Sequence, residues 1–157
     1  MGKLSPVRRG HAALRRGRAS LSGQVYLVTF TTHQRDRLFE DFACATTMAQ
    51  AVTDRRMWTS SELLAWVLMP DHWHGLVALG GRDYLPALAQ RVKANTGRHV
   101  RQADSGIERV WAKAYHDRAL RTEECLVDVA RYVVMNPVRA GLVRRVGEYP
   151  YWDAVWL

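Results

Sequence analysis

A chain of 157 residues, 48% hydrophobic and 24% charged, has the composition of one ordinary globular domain and is long enough to bury a sizeable core. No apolar run approaches the roughly 20 residues that span a bilayer and no signal-peptide pattern opens the chain, so membrane classes are set aside and a cytoplasmic protein is expected. Of the net charge of +8, six come from Lys3, Arg8, Arg9, Arg15, Arg16 and Arg18, before the first acidic residue, a distribution that points to a polyanionic partner, above all nucleic acid.

Residues 1–22 lack periodicity and are expected to form a flexible basic arm, with a single domain over 23–157. Residues 25–32, rich in β-branched and aromatic side chains, predict a first strand. Apolar positions Phe42, Met48, Val52 and Met57 predict a helix over about 41–58. A second strand is expected over 63–69 and a third over 72–79. Pro70-Asp71 joins them as a tight antiparallel connection. Asp83 is the expected cap of a basic helix running to about Val100, with Pro86 in its first turn. A fourth strand is expected over 107–115, and then a helix with Thr122 as cap, stopped by Pro137 after Asn136. Strand, helix, strand, strand, helix, strand is the split β-α-β order of a ferredoxin-like α+β fold with an antiparallel sheet. Cys44 and Cys125 fit no metal or redox spacing and are expected to be buried thiols.

Chemistry concentrates in three places. Strand alternation puts His72 and His74 on one face and Trp73 on the other, which makes the two imidazoles half of a metal site. Helical spacing puts Tyr132 and Asn136 on one face, one turn apart. Arg91, Lys93 and Arg98 offer cations to phosphates, as do Arg8, Arg9, Arg15 and Arg16 in the arm. Tyr115, by contrast, lies at a strand end and has no polar partner four residues on.

The segments Val-Leu-Met-Pro-Asp-His-Trp-His-Gly-Leu-Val (67–77), Tyr-His-Asp-Arg-Ala-Leu-Arg (115–121) and Tyr-Val-Val-Met-Asn-Pro-Val-Arg-Ala-Gly-Leu-Val (132–143) occur in this order. Together they resemble the single-domain tyrosine transposases of the His-hydrophobic-His (HUH) superfamily, in particular the group associated with repetitive extragenic palindromes (REP) in bacteria. The resemblance covers about residues 24–152. It implies a C-terminal helix carrying a nucleophilic tyrosine, here Tyr132. It also implies Mg²⁺ or Mn²⁺ held by His72, His74 and Asn136, where better-known members use glutamine. The implied activity is metal-dependent cleavage and rejoining of single-stranded or hairpin DNA through a 5′-phosphotyrosine link, by a monomer or a homodimer at the bacterial nucleoid. Zinc is disfavoured because a His₂-amide set lacks a third strong ligand. The alternative is a hairpin-binding protein of the same fold with little or no catalysis. The general base stays open between His116 and a metal-bound water.

Overall fold

The computed structural model describes residues 24–156; the arginines of the basic arm and its boundary at residue 22 lie outside them. A five-stranded, wholly antiparallel sheet has the order β4-β1-β3-β2-β5. Its strands are β1 (Val25–Thr31), β2 (Glu62–Met69), β3 (His72–Ala78), β4 (His116–Ala119) and β5 (Trp152–Ala154). The helices are α1 (Phe42–Val52), α2 (Arg55–Trp58), α3 (Leu85–Ala103), α4 (Leu126–Val134) and α5 (Asn136–Arg139). This is the expected ferredoxin-like α+β arrangement with a fifth strand added.

Alternation in the three central strands divides the sheet into two apolar faces. Tyr26, Val28, Phe30, Trp66, Leu68, Trp73 and Val77 face one way, under the apolar stripes of α1 and α3. Val25, Leu64, Ala65, Val67, Met69 and Leu76 face the other way, under Leu126, Ala130, Val133 and Val134 of α4. Trp73 is completely buried, as expected, and its ring stacks on Phe30 with centroids 5.1 Å apart. Trp66 and Trp111 are core residues as well.

Several expected boundaries move. The helix over 41–58 is two helices. Asp41 caps α1 by accepting from the Cys44 N–H at 2.9 Å, and Asp54 begins α2 by accepting from the Arg56 N–H. Asp83 does not cap α3, because Ser61 and Arg91 claim its carboxylate and Tyr84 stands at the cap position. The strand expected over 107–115 is absent: Trp111 makes one isolated bridge to Thr32 while Val110 and Trp111 fill the core from a loop. The fourth strand is the exposed His116–Ala119, held at the sheet edge by backbone pairing to β1 rather than by burial. Thr122 is not a cap either, since α4 starts after Cys125. Cys125 is exposed there, while Cys44 is buried as expected. Pro137 lacks the N–H that the Val133 carbonyl would take, so α4 ends at Val134 and the short α5 follows.

Candidate metal and tyrosine site

The β2–β3 turn is fastened to the end of β1. Thr32 N–H donates to the Asp71 carbonyl at 2.9 Å and Phe39 N–H donates to the Pro70 carbonyl at 3.0 Å, while the Thr32 hydroxyl sits between the carbonyls of Asp36 at 2.7 Å and Asp71 at 3.1 Å. From this turn His72 and His74 rise on the α4 side of the sheet, ring centroids 4.7 Å apart and planes 77° apart. Each Nδ1 has a partner: His72 with Asp71 Oδ1 at 2.7 Å, His74 with Thr29 Oγ1 at 2.8 Å. Arg35 Nε donates to the other Asp71 oxygen at 3.1 Å. Burial works against the Asp71 charge, yet the His72 bond and the Arg35 guanidinium hold its carboxyl below the usual range.

In the tautomers with the proton on Nδ1, both Nε2 lone pairs face away from these partners, the arrangement by which proteins orient imidazole ligands. Burial, followed by the charges of His72, Arg139 and Arg35, pushes the His74 imidazole down to about 4, so it is neutral and able to ligate at neutral pH. Among the described residues no group of three or more His, Cys, Asp or Glu could hold a metal. The donors expected from the sequence, two imidazoles and the Asn136 amide, would leave the other positions of an ion to substrate and water. Such a mixed nitrogen–oxygen set would fit Mn²⁺ better than the strongly oxygen-seeking Mg²⁺.

The helix with Tyr132 is seated over this end of the sheet. Val133 packs with Val67 and Met69, the cross-strand neighbours of His74 and His72. Tyr132, beside Val133, is 61% exposed despite its apolar ring. The backbone stays helical at Met135 (φ −80°, ψ −1°), so the half-buried Asn136 follows Tyr132 by one turn across the α4–α5 break. Arg139 lies against the tyrosine: its guanidinium carbon is 3.8 Å from the centroid of the Tyr132 ring. Tyr115 sits on the other side of the sheet, half-buried and edge-on to Phe30, its phenol raised by burial and then by Asp117. His116 is in register with Thr29, which is in register with His74, so its exposed imidazole belongs to the histidine face.

Arg139, Asp71 and Thr29 were missed from sequence. Arg139 follows Tyr132 by seven residues, two helical turns, a spacing that signals a shared face. The cations expected to meet phosphates divide. Arg98 is exposed on α3. Arg91 is committed inward, donating to the Met57 carbonyl at 2.8 Å and to Asp83 at 3.0 Å. Lys93 donates to three consecutive carbonyls, Ala112, Lys113 and Ala114. A cavity of about 600 Å³ lies at the Glu62–Leu64 end of β2, away from the histidines.

The model of the family described as "Transposase IS200 like" matches residues 20–135, about three-quarters of the chain. The chain belongs to the IS200-like transposase family. The match takes in the histidine strand and Tyr132 and stops one residue before Asn136. A REP-associated tyrosine transposase of Escherichia coli (strain K12) is 27% identical over 92 residues, which are 57% of this chain and 52% of that protein. The chain thus spans about half the length of this curated relative. Among solved structures, a REP-associated tyrosine transposase bound to a REP hairpin superposes with a TM-score of 0.62 at 22% identity, covering 86% of this chain and 79% of that one. A proposed transposase of Deinococcus radiodurans R1 gives 0.57 at 19% identity, covering 75% and 92%. At these identities the two structures establish the transposase fold. Among the described residues no helix is long and apolar enough to cross a membrane.

Proposed function

We propose that this IS200-like transposase is a divalent-metal-dependent single-strand DNA endonuclease and strand-transferase acting on hairpin or palindromic DNA. The reading is supported by the seating of the Tyr132 helix on the histidine side of the sheet, where Val133 packs with Val67 and Met69, the cross-strand neighbours of His74 and His72, and by Arg139, whose guanidinium lies over the Tyr132 ring. Tyr132 Oη attacks the phosphorus and gives its proton to a water, the P–O3′ bond breaks, and the leaving O3′ takes a proton from water. The products are a 5′-phosphotyrosine and a free 3′-hydroxyl. Attack by a 3′-hydroxyl on the phosphotyrosine reverses the step and rejoins strands with no energy cofactor. His72 and His74, with Asn136, would hold Mn²⁺ or Mg²⁺. When bound, that ion supplies Lewis-acid polarisation of the phosphate. Arg139 adds a fixed positive charge where negative charge develops.

The packing of α4 over the β2–β3 hairpin of its own chain supports a site completed within one chain, and hence action as a monomer. The hairpin in the structural relative and the REP association of the Escherichia coli protein support a folded single strand as substrate. The test is to incubate a labelled single-stranded hairpin oligonucleotide with the protein and Mn²⁺, then separate the products under denaturing conditions. A denaturation-resistant adduct is expected, lost in Tyr132→Phe and kept in Tyr115→Phe. An adduct that survives in Tyr132→Phe removes the assignment. Tight hairpin binding with no adduct in the wild type makes the protein a binding module.

A further inference from the structure

On the face opposite the histidines, a cleft of about 450 Å³ opens between α3 and the loop over 109–115. Its lining includes Lys93 and Arg101 from the helix, and Arg109, Trp111, Lys113 and Tyr115 from the loop, with no acidic residue. Elsewhere on the surface, Arg35, Arg37, Arg56, Arg91, Arg118 and Arg131 are each paired with a carboxylate. Among the described residues none of the cleft cations is, and while Arg121, Arg144 and Arg145 also lack a carboxylate partner, they do not line the cleft. Arg101 and Lys113 are exposed and make no side-chain bond among the described residues, and Arg109 spends only its Nε, on the Trp111 carbonyl at 3.2 Å. Beneath them the Lys93 ammonium is half-buried and donates to three loop carbonyls, which stitches the loop to α3; among the described residues no carboxylate pairs with it. Cations gathered this closely repel one another, and an anion laid between them relieves that repulsion.

The loop also leads to the other face. Three residues beyond Lys113 it becomes β4 at His116, a reach of at most roughly 11 Å. The register across β1 then carries from His116 through Thr29 to His74. A strand anchored in the cleft therefore needs only to round the β4 edge to come to the histidine face.

We propose that this cleft is a DNA backbone site, in which Arg101, Arg109 and Lys113 hold phosphates of the strand or stem whose continuation reaches the histidine face. It rests on the nucleic-acid reading above. Phosphate contacts of this kind release counterions, so each lost contact lowers the salt slope of log K by about 0.7–0.9.

The experiment compares wild type with the Arg101→Ala/Arg109→Ala/Lys113→Ala triple variant by fluorescence anisotropy between roughly 50 and 200 mM NaCl, about half to twice the ionic strength at which the screening length is about 10 Å. Three probes are used: a hairpin with a single-stranded 5′ flank, the blunt stem alone and the flank alone. The triple variant is expected to bind the complete hairpin about 10-fold or more weakly, with the salt slope reduced by about 2–3. A loss carried by the stem probe assigns the cleft to duplex backbone, and one carried by the flank probe assigns it to single strand. Arg121→Ala/Arg144→Ala/Arg145→Ala removes the same charge elsewhere and should cost much less. Wild-type affinity and slope in the cleft variant, or an equal loss in the control, overturns the cleft. A wild type that binds none of the probes overturns the nucleic-acid reading along with it. Single Lys113→Glu repeats the comparison with one exposed substitution should the triple variant misfold.

Discussion

Gly75 sits between His74 and Leu76 in the central strand β3, on the side opposite the two histidines. A Cβ added there would come 2.1 Å from Trp73 Cη2 and 2.7 Å from Cζ2 and Cζ3, against an ordinary carbon–carbon contact of about 3.5–4.0 Å. The indole would have to retreat by more than an ångström, but it is fully buried, stacked on Phe30 and lies 6.4 Å from the Trp58 centroid. Gly75→Ala is thus an overpacking substitution at a site with no free space, and about 1–3 kcal/mol of destabilisation is expected. For a chain of this size each kcal/mol moves Tm by about 2–4 °C, so thermal melts followed by circular dichroism should shift down by roughly 2–12 °C. The near-ultraviolet signal of the packed tryptophans should change with it. The clash involves the far edge of the indole, which phenylalanine lacks. Gly75→Ala in a Trp73→Phe background should therefore cost less than in the wild type, with a coupling of at least about 0.5 kcal/mol. Gly147→Ala, where no atom lies within 4 Å of the added carbon, is the control and should leave Tm nearly unchanged. A Gly75→Ala protein that melts with the wild type and keeps its near-ultraviolet spectrum would refute the reasoning.

The remaining expectations concern the site and its supports. Asp71→Ala removes the carboxylate that orients His72. It should weaken Mn²⁺ binding by about 10–100-fold in calorimetric titration, and unchanged affinity would separate Asp71 from the metal. His74→Ala should abolish metal-dependent cleavage while hairpin affinity largely survives, and an equal loss of binding would recast the histidine as structural. Arg139→Ala should slow adduct formation far more than it weakens hairpin binding. Arg139→Lys, which keeps the charge without the planar stack, should recover part of the rate. Tyr149 donates its hydroxyl hydrogen to the Leu68 carbonyl, so Tyr149→Phe leaves that acceptor unpaired, at about 1–2 kcal/mol in urea unfolding. Burial, then Tyr151, pushes the Tyr149 phenol up to about 12. The folded state holds this proton more tightly than the unfolded chain, so the contribution is intact below pH 10 and is lost as pH rises towards 12. A phenylalanine variant with the same alkaline limb as wild type would contradict this.

Much of the site was legible in the sequence because it depends on local periodicity. Alternation alone placed His72 and His74 together and sent Trp73 to the other side, and the register of β3 agrees residue by residue. Helical spacing placed Asn136 one turn from Tyr132, and the α4–α5 break leaves that relation in place because Met135 keeps helical angles. Only the tertiary structure decided which face α4 would cover. That depends on Leu126, Ala130, Val133 and Val134 meeting Leu64, Ala65, Val67 and Met69, and a periodic stripe does not name its partner. The edge strands escaped for a related reason. His116–Ala119 and Trp152–Ala154 are short and held by backbone bonds to β1 and β2, whereas sequence patterns report burial. Charge was the least readable property. Arg91 and Lys93 look like phosphate ligands in the sequence, yet the fold brings Asp83, Met57 and three loop carbonyls within reach of them. An arginine or lysine carries its charge on a long flexible stem, so its partner is set by the packing around it and not by its place in the chain.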